Sequence, residues 1–182
     1  SLILRNGDII GELREEVQSR NYDVTIIGGS GKRSMSHDLI QYIDSSILVV
    51  KGFDSEKKYR ILLVIDDSPN MKKVLKYGVR VAQAFKIEVD FLVASKNNTL
   101  LDDNKTVMNY SNKYLRRCNV KSNVLSEIGN PEEKIIKAAG NNHIIIMGAS
   151  IKSPIAKFFQ SSIPLEVMKS CNCPVLIVKP SN

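Results

Sequence analysis

The chain has 182 residues, 43% of them apolar and 25% charged, with a net charge of +7. This is the composition of an ordinary soluble globular protein, long enough for one domain or for one plus a fragment. No apolar run reaches the ~18 residues of a membrane-spanning helix, and Arg5 and Asp8 interrupt the start where a signal peptide would carry its apolar stretch.

In chain order, RNGDIIGELREEV at 5–17 reads as a helix, VTIIGGS at 24–30 as a strand running into glycines, and SSILVVK at 45–51 as a second strand. FDSEKKYR at 53–60 is polar and charged and reads as a linker. RILLVIDDS at 60–68 carries five apolar residues after Arg60 and stops at two aspartates, which is a strand buried on both faces, as in a parallel sheet. Ser68-Pro69 then supply a cap and a first helical position. Met71, Val74, Leu75, Gly78, Val79, Ala82 and Phe85 recur at helical spacing to about residue 86. IEVDFLVAS at 87–95 is the next strand, Leu100 to Leu115 mark a helix, and Val120, Ser122, Val124 and Ser126 alternate as a strand. Asn130-Pro131-Glu132-Glu133 starts a helix that Gly140 is placed to end. IIIMG at 144–148, a helix carrying Ile163, Val167 and Met168, and PVLIVK at 174–179 complete the chain.

The end of the chain repeats its beginning. IIIMGAS (144–150) and CPVLIVK (173–179) match VTIIGGS and SSILVVK, and EIGNPEEKIIKAA (127–139) matches RNGDIIGELREEV. A repeat of this size is a whole supersecondary unit. Residues 59–126 have no counterpart before the first copy. The expected organisation is a partial unit at 1–52, a linker at 53–58 and a complete strand–helix domain at 59–182, with parallel strands and right-handed crossovers.

The chemistry offered is sparse. Cys118, Cys171 and Cys173 are few and odd in number, as for reduced thiols in a cytosolic setting. With only His37 and His143 beside them, no metal set forms. The scattered basic pairs and 6% aromatic content give no nucleic-acid platform, although a phosphate-bearing ligand suits the charge. No catalytic triad, Walker-type lysine loop or magnesium clamp is present. His143 reads as a polar cap on the sheet, and Cys173, before Pro174, as a packing residue.

In an open parallel sheet, ligands bind at the carboxyl ends of the strands where strand order reverses. Asp66, Asp67 and Ser68 end one strand, and Gly148, Ala149 and Ser150 end another. Through VIDDS (64–68), GNPEEKI (129–135), IIIMGAS (144–150) and SSIPLEVMKSCNCPVLIVK (161–179), the chain resembles the universal stress protein family, over all of 59–180 and, as a half domain, over 1–52. The resemblance implies a doubly wound α/β fold with a parallel five-stranded sheet in flavodoxin-like order 3-2-1-4-5, plus an N-terminal half domain of the same type. It implies a cytoplasmic, non-enzymatic module of stress response that binds ATP or another adenine nucleotide through Asp66, Val93, Gly148, Ser150, Ser161 and Ser162, with no metal.

Two departures weigh against tight binding. Nucleotide-binding members carry Gly, two residues, Gly, nine residues, Gly and then Ser or Thr after the fourth strand, so that the backbone approaches the phosphates. Here Gly148 keeps the first position, but Ile151 and Ser161 replace the other two glycines, and Ile151 is β-branched. The first copy keeps Gly28-Gly29-Ser30-Gly31-Lys32 but lacks the later element. The alternative is a nucleotide-free interaction module, such as the regulatory tail of a larger protein. The resemblance also implies a homodimer through the last strand. Ile47–Lys51 and Val175–Lys179 are both apolar sheet edges that need covering. They could pair antiparallel within one chain or between two, and a homo-oligomer is the favoured expectation because the partial unit lacks its own first two strands and must cover that side.

Overall fold

A computed structural model of the chain describes residues 2–29, 33–66, 68–95, 101–140, 143–149 and 163–180. Its elements are α1 (Ile9–Arg20), β1 (Val24–Gly28), α2 (Arg33–Tyr42), β2 (Ser46–Val50), β3 (Arg60–Ile65), α3 (Met71–Phe85) and β4 (Val89–Ser95), followed by α4 (Leu101–Arg117), β5 (Ser122–Ile128), α5 (Pro131–Ala138), β6 (His143–Gly148), α6 (Ile163–Ser170) and β7 (Val175–Val178). No helix among the described residues is long and apolar enough to cross a membrane.

All seven strands form one sheet in the order β1-β2-β7-β6-β3-β4-β5. The strands from β3 onward keep a parallel β7-β6-β3-β4-β5 arrangement. The difference from the sequence expectation lies at the other end. There is no five-stranded sheet standing apart from an N-terminal piece, because β1 and β2 extend the same sheet. β2 pairs β7 antiparallel, with Ile47 opposite Ile177, Leu48 opposite Leu176 and Val49 opposite Val175. All four β7 residues are buried, so an open β7 edge would expose an apolar ladder. Here β2 closes it from within the chain, and β7 keeps no free edge for a second chain.

The same closure appears in the packing. One core cluster joins Val17, Leu39, Ile43, Ile47 and Val49 to Ile145, Val167, Val175 and Ile177. The opposite face of the sheet packs Leu63, Val74, Leu75, Val79, Phe91 and Ile146. Residues 1–52 therefore share their core with the C-terminal strands. The link between them is compact: Phe53 stacks on Tyr59 with ring centroids 5.2 Å apart, and the Tyr59 hydroxyl accepts the Asp54 N–H at 2.8 Å. At the exit of β2, Gly52 has φ +59°, and a Cβ there would lie 2.4 Å from the Asn172 carbonyl oxygen, so only glycine fits.

The β1 side is less covered. Ile26 in β1 is 66% exposed, whereas Ile146, at the equivalent position of the repeat in β6, is fully buried. Ile146 lies in the cluster formed with α3 and β3, and β1 is the edge strand of the sheet.

Local signals explain most boundaries. Asp8 caps α1 by accepting the Gly11 N–H at 2.8 Å, and Asn130 caps α5 by accepting the Glu132 N–H at 3.1 Å. The Ser68-Pro69 start of α3 is displaced. Ser68 donates its N–H to Asp66 Oδ1 and accepts from Met71 N, so Ser68-Pro69-Asn70 form a turn and the helix begins at Met71. Gly140 does not stop α5 as a left-handed cap. The helix ends at Ala138, and Gly140 donates its N–H to His143 Nδ1 at 2.9 Å.

Candidate functional site

The sheet opens at the carboxyl ends of β3 and β6. These strands are neighbours, but their ladder ends at Leu63 opposite Ile146. Beyond it, β3 continues with β4 as far as Ile65 opposite Val93, and β6 continues with β7 as far as Gly148 opposite Val178. The two strands part company where strand order reverses, which is where ligands enter sheets of this kind.

Asp66 leaves β3 at this opening and is exposed, with its Oδ1 accepting from Ser68 N at 3.2 Å. Gly148 ends β6. A Cβ on Gly148 would meet Asn70 Nδ2 at 3.4 Å and Val74 Cγ2 at 3.5 Å, so its hydrogen faces the first turn of α3. Val93 is only 5% exposed and lies in the core cluster with Ile65 and Val74, so it can offer a ligand its backbone but not its side chain. Ser150, Ser161, Ser162 and the departure at Ile151 lie outside the described residues. Asp66, Val93 and Gly148 thus sit at one end of three adjacent strands, and the serines are not placed.

Sequence reasoning missed Asn70, which lines the same opening. It is the N-cap residue of α3, yet its side chain caps nothing. Nδ2 donates instead to the Val178 carbonyl at 2.6 Å, which also accepts the Ala149 N–H at 2.8 Å. Asn70 is 6% exposed, and its Oδ1 has no donor among the described residues. A buried acceptor left unpaired costs about 1–3 kcal/mol. The only hint in the sequence is an Asn following a Ser-Pro helix start.

A second polar cluster lies at the opposite, amino-terminal end of the strands. Arg60 grips Asp90 with two bonds (Nε to Oδ2 at 2.6 Å, NH2 to Oδ1 at 2.7 Å) and Glu88 with a third at 2.5 Å. Asn123 Nδ2 donates to Asp90 Oδ1 at 2.9 Å. Because His143 Nδ1 accepts from Gly140, its Nε2 carries the proton of the neutral ring and donates to Asp90 Oδ2 at 3.2 Å. The hydrogen bonds from Arg60 hold the Asp90 carboxyl down at about 2, against the opposing push of burial. Every Asp90 oxygen is occupied, so this cluster ties β3, β4, β5 and β6 together and offers no open group for catalysis. His143 is more than a cap: it is one of the ligands of a buried carboxylate. Among the described residues, no group of three or more His, Cys, Asp or Glu side chains is placed to hold a metal.

Residues 59–179 match the sequence profile of the universal stress protein family. The chain belongs to that family. Universal stress protein MJ0577 of Methanocaldococcus jannaschii is 29% identical over 150 residues, covering 80% of this chain and 92% of that relative. The solved structure of MJ0577 superposes with a TM-score of 0.57 at 28% identity, over 68% of this chain and 97% of that one. A universal stress protein from Archaeoglobus fulgidus superposes with a TM-score of 0.77 at 17% identity, over 97% of this chain and 67% of that one. A further family structure, a complex with cAMP, aligns at 17% identity and a TM-score of 0.59, over 69% of this chain and all of that one. This chain is thus longer than the MJ0577 unit and shorter than the Archaeoglobus chain, of which it covers 67%.

Proposed function

We propose that the chain is a non-enzymatic, cytoplasmic binding module that takes ATP or another adenine nucleotide, weakly, in the opening between β3 and β6, and acts in stress response or regulation. The observation that carries this reading is the parting of β3 and β6 beyond Leu63 and Ile146, with Asp66 exposed beside it and the start of α3 below it. A helix start presents N–H groups to an anion. The cAMP-bound relative supports the ligand class. Asp66 faces the nucleotide, the Val93 backbone lies beside it, and Gly148 with Ser150, Ser161 and Ser162 receives the phosphates without a metal. Binding is weak because Ile151 and Ser161 stand where glycines would let the backbone close on the phosphates.

Replacing Ile151 by Gly is expected to tighten ATP binding in isothermal calorimetry, by about tenfold if the regained phosphate contact contributes ~1.4 kcal/mol. Unchanged affinity in a folded Ile151→Gly variant would remove the phosphate-loop account.

A second reading is favoured by the β1 side. In this reading, residues 1–52 are the C-terminal half of another domain of the same type, 53–58 are the linker and 59–182 the complete domain. The β2–β7 ladder then imitates, inside one chain, the dimer that family members form through their last strands. Ile26, exposed where Ile146 is buried, marks a face that lacks its cover. Self-association or a protein partner would occupy it through β1, since β7 is flanked on both sides.

A further inference from the structure

Building on the second reading above, we infer that the β1 side receives a partner polypeptide that inserts a β–α–β unit, two parallel apolar strands joined by an amphipathic helix. Residues 1–52 leave a gap of two strands for it. The repeat supplies the comparison. In the C-terminal copy, β3 and β4 lie between β6 and β5. The N-terminal copy keeps counterparts of β6 and β5 and lacks the two strands between them.

β1 is the counterpart of β6, and its outer edge is open. Ser46 donates its N–H to the Asp23 carbonyl and Gly29 donates to the Val50 carbonyl, so the odd-numbered residues of β1 bond to β2. The N–H and C=O groups of Val24, Ile26 and Gly28 therefore point away from β2, where a further strand can take them. The counterpart of β5 is the start of the chain. Matching 5–17 with 127–139 sets residues 2–4 against 124–126. Gly7 and Gly129 then coincide, both at positive φ (+150° and +133°), and so do the helix caps Asp8 and Asn130. Residues 124–126 pair with 91–93 of β4. Residues 2–4 join no ladder among the described residues, and Leu2 and Leu4 are 88% and 87% exposed.

Both faces of the gap lack their cover. α5 packs on α6, β4 and β5, whereas α1 packs on α2 and has no strand contact of that extent among the described residues. Ile9 is 59% exposed where Pro131 is buried, and Leu13 is half-buried where Ile135 is fully buried. On the other face, Ile26 is exposed where α3 and β3 bury Ile146. The incoming strands lie under α1 and the incoming helix over Ile26, as β4, β3 and α3 lie in the C-terminal copy. A second copy of this chain brings only another β1 edge, which leaves residues 2–4 and Ile9 uncovered. The Archaeoglobus chain carries this fold within 67% of its length, so a third of that chain lies beyond it.

The test titrates the isotope-labelled full chain with a synthetic peptide of its own residues 60–95, read by amide NMR. Saturable shifts are expected at Leu4, Ile9, Val24 and Ile26, with none at Ser122 or Asn123 on the far edge of the sheet. Ile26→Lys, which sets a charge under the incoming helix, should weaken binding about tenfold. A peptide that precipitates is replaced by the same residues joined ahead of Leu2 through a flexible linker, which holds them at about millimolar local concentration. A single melt at a higher temperature than that of the chain alone is then expected. No shift with a soluble peptide, shifts confined to the far edge, or a tethered segment that leaves the melt unchanged or splits it overturns the proposal. Light scattering that shows a dimer abolished by Ile26→Lys also overturns it, while the second reading survives. If the amides of Val24, Ile26 and Gly28 exchange as slowly as those of β6 in the chain alone, both fall.

Discussion

A chain shortened to residues 59–182 is expected to dimerise, and the complementary 1–52 fragment to lose cooperative folding. Both outcomes follow from the β2–β7 ladder. In the intact chain, Val175, Leu176 and Ile177 are covered by Val49, Leu48 and Ile47. Removing β2 leaves a fully apolar strand at the edge of the sheet, which is a template for pairing with another chain. A second copy of the shortened chain offers the same edge, and antiparallel β7–β7 pairing closes both in a twofold dimer. The shortened chain keeps the whole β7-β6-β3-β4-β5 arrangement, and MJ0577 is aligned over 97% of its length within 68% of this chain, so a folded unit of this size is reasonable. Residues 1–52 have no such resource. Val17, Leu39, Ile43, Ile47 and Val49 draw their packing from Val167, Val175 and Ile177, and chains of about this size are marginal even with a core of their own. Light scattering should return twice the monomer mass for 59–182. A monomeric 59–182, or a sharp melt for 1–52, would contradict this view of the seam.

The second large effect is expected at the opposite pole. Arg60→Met should destabilise the chain by about 2–3 kcal/mol at neutral pH, because it leaves the Asp90 carboxylate buried without its cation. The figure is kept below that of a wholly buried pair because Arg60 reaches solvent. The pH dependence fixes the cause. Asp90 titrates at about 2 in the folded chain, below its value of roughly 4 when unfolded. Its ionised form therefore stabilises the fold above roughly pH 4, on the order of 2 kcal/mol, and this contribution is lost as pH falls through about 2. Arg60→Met removes the cause of the depression. Its deficit should be largest at pH 7 and narrow as Asp90 becomes protonated in both proteins. Urea unfolding at pH 7 and pH 2.5 measures it, and an equal deficit at both would assign Arg60 a packing role instead.

These two poles show what the sequence disclosed and what it withheld. That Ile47–Lys51 and Val175–Lys179 both need covering was legible because they are short apolar runs without polar alternation, but the sequence favoured an assembly of two chains, and only the fold closes the ladder within one. The strand ends Asp66 and Gly148 were legible through turn residues placed after apolar runs. Asp90 was not singled out, since an acid inside IEVDFLVAS declares itself only when the register sets it beside Arg60, Asn123 and His143, which lie far apart in the chain. Asn70 was hidden for a related reason. Ser68-Pro69 carries a strong helix-start signal, but the Asp66 carboxylate captures the Ser68 N–H and delays the helix, which turns Asn70 toward Val178. Gly140 follows the same pattern, because a bond to His143 replaces the expected left-handed cap. In each case a contact between distant elements overrode a correct local preference.

The most direct test of the proposed nucleotide site is an amide-resolved NMR titration of the full chain with ATP. The account predicts saturable shifts at the Asn70 side-chain amide and at the backbone amides of Gly148, Ala149 and Val93, with the amides of Arg60, His143 and Asn123 at the other end of the strands unmoved. No saturable shift at millimolar ATP, or shifts confined to the Arg60 end, would contradict it.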